Sequence, residues 1–499
     1  MFVWRDINGI GDLKSALGTL PHEFVDEQVL MMLDERVSGA VKGLLIEHNY
    51  VDKDYRSVFY NFYAKRGDEY GRNCVRIHFF SSGVSYDQPT MSLRLSQGEN
   101  ADAEAIDSEL SASYLGYITL RPTGKDNIGR SVINPKLLSD ASGEIITANH
   151  KVHVLGHRLK AIGFPWMMQH VDISVCAHVA CWSIMRHYSE RYSKYAELLL
   201  HDITKLAQPF DPGGLIPSGG LVVENAERIF YVANTFPLVV DREADPASFE
   251  RQMLAYLESG FPIFATLPDF YHAVAIVGVR WRKGKAPVLD RSELDQPRSR
   301  VEALIASDDN HMPYVPVAFD TAMDPLDYRV DDIHSFIVPL PDKIFCPASY
   351  VDKLAEIGPD VLFELEFPAN GDCVRRYYIT TTAALRRDLM NRGQSFDPRL
   401  ASALMTAPMS QFIWIVEYAT VSQWLDDQVA VRLILDATAS EADNDPFWIG
   451  FDSKTALVWG QKRGADAEPE VIDLKPAPQP YRRIRSNLKN FGDTGSFRD

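Results

Sequence analysis

Residues 249–306 constrain the fold of this chain more than any other stretch. Phe249 to Ser259 reads as a helix, and Gly260 stands in the stop position, where glycine ends a helix at little steric cost. Three apolar runs come next: Pro262-Ile263-Phe264-Ala265-Thr266-Leu267, His272 to Val279, and Val301 to Ala306. Each has the length of a strand, which predicts one helix followed by an antiparallel strand set. A longer helix is predicted upstream, from Cys176 to about Tyr192, with Asp172 and Ser174 as N-cap types just before it. The fold class expected is α+β, with the cysteine helix packed on an antiparallel sheet.

The rest of the chain divides around this core. Residues 1–150 read as an α+β region, with strands at Cys74 to Phe80 and Tyr114 to Leu120. Residues 151–345 hold the motifs, and residues 346–475 read as a strand-rich α+β region. Strands are predicted there at Val361 to Phe367, Arg376 to Ile379, Phe412 to Tyr418 and Val429 to Leu435, with a helix from Thr382 to Asn391. Residues 476–499 carry Pro478, Pro480 and the basic run Arg482, Arg483 and Arg485, the composition of a loose tail.

Composition narrows the function classes. Of 499 residues, 46% are hydrophobic and 24% charged, enough apolar material for several cores. The net charge of −17 argues against a nucleic-acid backbone as a partner. No stretch approaches the roughly 18 uninterrupted apolar residues of a membrane span, and Met1 to Asp6 lacks the start of a signal peptide. Five cysteines, an odd and sparse set, fit a reducing compartment, so a cytoplasmic location is expected.

Three residue types that perform thiol chemistry stand in order along the chain. Cys176 opens a helix, where the helix dipole favours a thiolate. His272 heads an apolar strand, which would hold its ring as the base. Asp308, at the end of the strand Val301 to Ala306, would accept the other ring N–H, with Asp309 and Asn310 as close rivals. Gln169, seven residues before Cys176, would donate its amide to an oxyanion. Cys181, followed by Trp182, competes for the nucleophile. The two cysteines are five residues apart, a rotation of about 140° on a helix, so they cannot share a face. Taken singly, each of these residues has a bland reading as a core or turn residue.

Other constellations are weaker. Cys176, His178 and Cys181 match no zinc spacing. Gly213-Gly214 and Gly219-Gly220 lack the Gly-Lys-Ser/Thr of a phosphate loop. Asp320 and Asp324 lack EF-hand ligand order. No cofactor and no metal is expected.

Residues 165–320 resemble the papain-like cysteine peptidase superfamily, most closely its bacterial branch that processes double-glycine leader peptides. The likeness is carried by Gln169, Cys176-Ala177, Pro217-Ser218-Gly219-Gly220-Leu221, His272-Ala273-Val274 and Asp308. The chain departs from that branch in having Ala177 for its usual glycine and a glutamine-to-cysteine gap one residue longer. The resemblance implies a hydrolase that cuts a peptide or isopeptide bond of a protein or peptide substrate through an acyl-enzyme. It assigns Cys176 as nucleophile, His272 as base, Asp308 as third member and Gln169 as oxyanion donor. The alternatives are an acyltransferase or deamidase on the same fold, or an inactive scaffold that binds a partner.

Overall fold

The structure is a computed structural model. It describes residues 2–8, 10–37, 39–66, 70–83, 96–98, 103–169, 176–207, 221–282, 296–391, 394–440, 446–459, 468–475 and 480–492. The expected caps Asp172 and Ser174, the Pro217 to Gly220 segment and most of the excursion 280–300 lie outside these residues.

The fold is mixed α+β, built on antiparallel sheets. The cysteine helix spans Cys176–Arg191, and all but its ends are buried. It packs on the strand His272–Trp281. That strand lies inside a sheet whose main path runs Val315–Ala318, Val301–Ser307, His272–Trp281, Ile263–Leu267, Ser335–Leu340 and Phe236–Asp241. Every expected element of residues 249–306 is present: the helix Phe249–Glu258, Gly260 at φ +80° as its stop, and the three strands. Nearly every residue of these strands is buried, because helices and neighbouring regions cover both faces.

Gly278 explains itself by crowding. A Cβ there would meet the Glu144 carbonyl at 2.4 Å, since the short strand Gly143–Ile145 pairs with the histidine strand at that point. A side chain would push the two backbones apart.

The N-terminal region forms a seven-stranded sheet that includes Phe2–Asp6, Gly43–Tyr50, Cys74–Phe80 and Tyr114–Leu120. The expected strand at Cys74 is buried on both faces rather than half-buried. The boundary expected at residue 150 is corrected. It falls within the strand Ala148–Val154, and His157–Trp166 pairs with Ser131–Ile133 of this first sheet. Ladder hydrogen bonds claim residues 148–166 for the N-terminal region, and the unit bearing the motifs begins after them. Tyr314 ties the two together: its hydroxyl donates to the Ile133 carbonyl and accepts from the Phe164 N–H, both at 2.7 Å. From the other side, the Trp182 indole donates to Asp54 at 2.9 Å, docking the helix Lys53–Asn61 on the cysteine helix.

The C-terminal region is a six-stranded sheet, Cys373–Thr381, Phe412–Thr420, Val431–Asp436, Phe447–Phe451, Thr455–Val458 and Glu470–Asp473. Two expectations fail here. Val361 to Phe367 is not a strand. The helix Ala348–Val361 runs into it, and a turn follows in which the Leu365 N–H donates to the Leu362 carbonyl. The apolar alternation reflects two leucines inserted into the core, with Phe363 left in solvent. The tail is also not loose as far as residue 492. Tyr481–Arg482 pairs with Gln428–Val429, and Lys489–Phe491 pairs with Gly143–Ile145. Burial of Tyr481, Ile484 and Phe491 holds it, and the Arg376 and Arg432 guanidiniums donate to the carbonyls of Ile484 and Arg482. Among the described residues, no helix is long and apolar enough to cross a membrane.

Candidate active site

Cys176, His272 and Asp308 meet. Cys176 opens the described span of its helix, Cys176–Arg191, and is partly exposed, whereas most of the helix after it is buried. It lines one cleft with His272, and its side chain is among the groups that raise the pKa of the His272 ring. His272 Nε2 lies 3.1 Å from Asp308 Oδ2. Because the carboxylate takes Nε2, the other ring nitrogen is the one left for the thiol.

Asp308 is held on all sides. Tyr328 donates its hydroxyl to Oδ2 at 2.8 Å, and the Asn310 N–H donates to Oδ1 at 2.8 Å. The Trp166 indole donates to the Asp308 main-chain carbonyl at 2.7 Å. Of the three rivals for the third position, Asp308 therefore has the ring contact. Asp309 Oδ1 stands off at 4.0 Å from Nε2. Asn310 turns its side chain elsewhere and accepts from the Gln169 amide at 3.0 Å.

Charge follows this geometry. Burial disfavours the imidazolium of His272, but hydrogen bonds to Asp308 and Cys176 and the charges of Asp308 and Asp309 raise its pKa to about 11. Burial would raise Asp308. The His272 hydrogen bond and charge, the Asn310 N–H and the Tyr328 hydroxyl reverse that and hold it below the ordinary carboxylate range. At Asp309, burial and then the charge of Asp308 outweigh the charge of His272 and a main-chain hydrogen bond, and push it up to about 7. The ring is thus poised to carry a proton beside an ionised carboxylate.

The site opens on a cleft of about 810 Å³. Cys176, His272 and Thr266 lie on its floor side by side with Phe264 and Ala273, and Leu221 to Asn225 form another wall. Tyr271, at its edge, is 96% exposed and sits in the left-handed region at φ +49°. That conformation ends the short helical turn Pro268–Phe270 just before the histidine strand begins.

Cys181 is fully buried, and desolvation raises its thiol well above the usual range. It is core packing. His178 is likewise buried and lowered to about 4 by desolvation. Gln169 is not brought to the cysteine cleft. It lines a second cleft, on the far side of the Asp308–Asn310 turn. Tyr328 was missed from the sequence, because nothing in its spacing from Asp308 announces a hydrogen bond.

His272, Asp308 and Asp309 also present a nitrogen and carboxylate oxygens within 4.8 Å of one another, a geometry that could hold a metal ion. Asp308 already receives His272, Tyr328 and Asn310, so a cation there would have to displace them. No family model matches the chain, and no curated protein or solved structure does either.

Proposed function

We propose that this protein is a papain-like cysteine hydrolase that cleaves a peptide or other amide bond in a protein or peptide substrate. One observation carries the reading: Cys176 and His272 line the same cleft, and His272 is bonded behind it to Asp308, which Tyr328 holds. The helix that begins at the cysteine and packs on the histidine strand supports a papain-like build.

In this reaction His272, bonded to Asp308, takes the proton of the Cys176 thiol. The sulfur attacks the substrate carbonyl and a tetrahedral oxyanion forms. First-turn N–H groups of a helix lack intrahelical acceptors, so the Cys176 N–H is suited to receive that charge. Gln169, whose amide bonds Asn310 and which lines another cleft, is not given this charge to hold. As the C–N bond breaks, His272 passes its proton to the departing amine, leaving a thioester on Cys176. Water, deprotonated by His272, attacks the thioester, and the acid and the free thiol are released.

The direct test is alkylation with iodoacetamide at pH 7, with each cysteine followed by peptide mapping. Cys176 should react at least about tenfold faster than the other four, and His272→Ala should remove that preference. A Cys176 no faster than Cys373, the other partly exposed thiol, would overturn the assignment.

A further inference from the structure

A further cleft, of about 320 Å³, lies at the end of the cysteine helix opposite Cys176. Arg191, the last residue of that helix, stands on one wall. Lys489 stands on another, placed there by the pairing of its strand with Gly143–Ile145. Thr381 and Ala384, at the start of the helix Thr382–Asn391, form a third. This cleft shares no lining residue with the one at Cys176.

The cleft gathers positive charge in a chain whose net charge is −17. Lys489 and Arg191 are both exposed, and among the described residues neither forms an ion pair. The Arg191 guanidinium lies 5.8 Å from the centre of the Tyr192 ring, a neutral partner that leaves its charge uncompensated. Glu190, the acid on the wall, has Arg186 at 3.9 Å to answer it. His187, on the inner wall, adds no charge: burial, then the charge of Arg191, lower its pKa to about 3. Burial, then Arg191, also lower Lys489 from its ordinary value, the cost of holding two like charges in one cleft. The Thr381 hydroxyl accepts from the Ala384 N–H at 3.1 Å, as a helix cap does, and its own proton is left to donate.

We propose that this cleft binds the phosphoryl group of a small molecule, held between Lys489, Arg191 and the Thr381 hydroxyl. The three donors come from three separate elements, and a phosphoryl group has an oxygen for each, where a carboxylate has two in all. The start of the helix Thr382–Asn391 on the same wall adds the positive end of its dipole. The volume falls at the lower end of small-molecule sites, about 300–1,000 Å³, and Tyr192 and Phe412 offer apolar surface to a compact organic body. Inorganic phosphate and a small phosphate ester carry this same chemistry. The inference goes beyond the hydrolase reading and does not depend on it, because the cleft is a separate surface.

Equilibrium titration of the full chain at pH 8, where a phosphate ester is a dianion, tests it. The probes are inorganic phosphate, phenyl phosphate, benzoate and neutral phenol. Phenyl phosphate should bind at least about tenfold more tightly than benzoate or phenol, the difference that charge-assisted bonds make. Lys489→Gln and Arg191→Gln, each checked by thermal melting, should each weaken its binding about tenfold. Tighter binding of phenyl phosphate than of inorganic phosphate identifies an ester as the source, and the reverse identifies the free ion. Equal affinity for phenyl phosphate and phenol in the unaltered protein overturns the proposal without recourse to any variant. So does benzoate binding as tightly as phenyl phosphate, which would make this a site for any anion. Phosphate binding that survives both substitutions together lies elsewhere on the protein and overturns it too.

Discussion

Tyr328 donates its hydroxyl to Asp308 Oδ2 at 2.8 Å, the same oxygen that faces the His272 ring at 3.1 Å. The phenol fixes the carboxylate, and the carboxylate fixes the imidazole. Tyr328→Phe removes one hydrogen bond worth about 1 kcal/mol, so kcat toward an amide substrate should fall by less than tenfold or so. Asp308→Ala should cost more, and His272→Ala the most. Kinetics on the three variants would expose the wrong order, and an Asp309→Ala loss larger than that of Asp308→Ala would move the role to Asp309.

Cys176 and Cys181 should part company under substitution. Cys176→Ala removes a partly exposed sulfur and should leave the melting temperature nearly unchanged while hydrolysis vanishes. Cys181→Ser buries a hydroxyl where a thiol packed, and should cost about 1–3 kcal/mol of stability with activity retained. Denaturant unfolding beside an activity assay separates the two, and full activity in Cys176→Ala would sink the mechanism.

Gln169 reaches Asn310 rather than the sulfur, so its part in the chemistry needs a measurement of its own. An oxyanion donor lost by mutation lowers kcat by about 10²–10³ with KM little changed. Because Gln169 lines another cleft, Gln169→Ala should not show that split, and a kcat loss of that size would return it to the chemistry. A change confined to KM, or to stability, would leave Gln169 as a brace for the turn.

His272 and the two carboxylates of the turn pull stability in different directions with pH. His272 is raised above its unfolded value of 6.5, so its contribution is complete below that pH and is lost as pH climbs toward about 11. Asp308 is depressed below 3.8, so its contribution is present above that value and lost as pH falls. Asp309, raised to about 7, favours the fold while protonated, and that gain is lost between about pH 4 and 7. Asp309→Asn should therefore raise the melting temperature relative to the unaltered protein more at pH 8 than at pH 4.5. Melting curves whose difference does not vary with pH would contradict the burial argument.

The tail invites a deletion. Arg376 donates to Glu258, Glu417 and the Ile484 carbonyl, and Arg432 to Glu417 and the Arg482 carbonyl. Ending the chain before Pro480 strips both buried guanidiniums of a carbonyl and should destabilise the protein by about 3 kcal/mol or more. A shortened chain with an unchanged melting temperature would show these contacts to be idle.

Local pattern carried much of this architecture. The helix from Cys176, the helix ending at Gly260 and the strand opened by His272 all rest on periodicity and stop residues within a few positions. The meeting of Cys176, His272 and Asp308 was legible because their order along the chain narrows where each can stand. What stayed hidden depends on partners far away in sequence. Tyr328 is identified by a carboxylate 20 residues back, and the strand His157–Trp166 by its pairing with Ser131–Ile133. Val361 to Phe367 misled because two core leucines around an exposed Phe363 imitate a half-buried strand.

The pairing of Lys489–Phe491 with Gly143–Ile145, which itself pairs with the histidine strand, sets an order of events during synthesis. More than 200 residues are translated after His272 before that sheet can receive its outermost strand. At the ordinary pace of about 5–20 residues per second, the nascent chain spends on the order of ten seconds or more with the sheet under its base unfinished. A sheet assembled this way is slow to be completed, and a stalled or truncated product would leave the ribosome with the His272 strand incompletely braced.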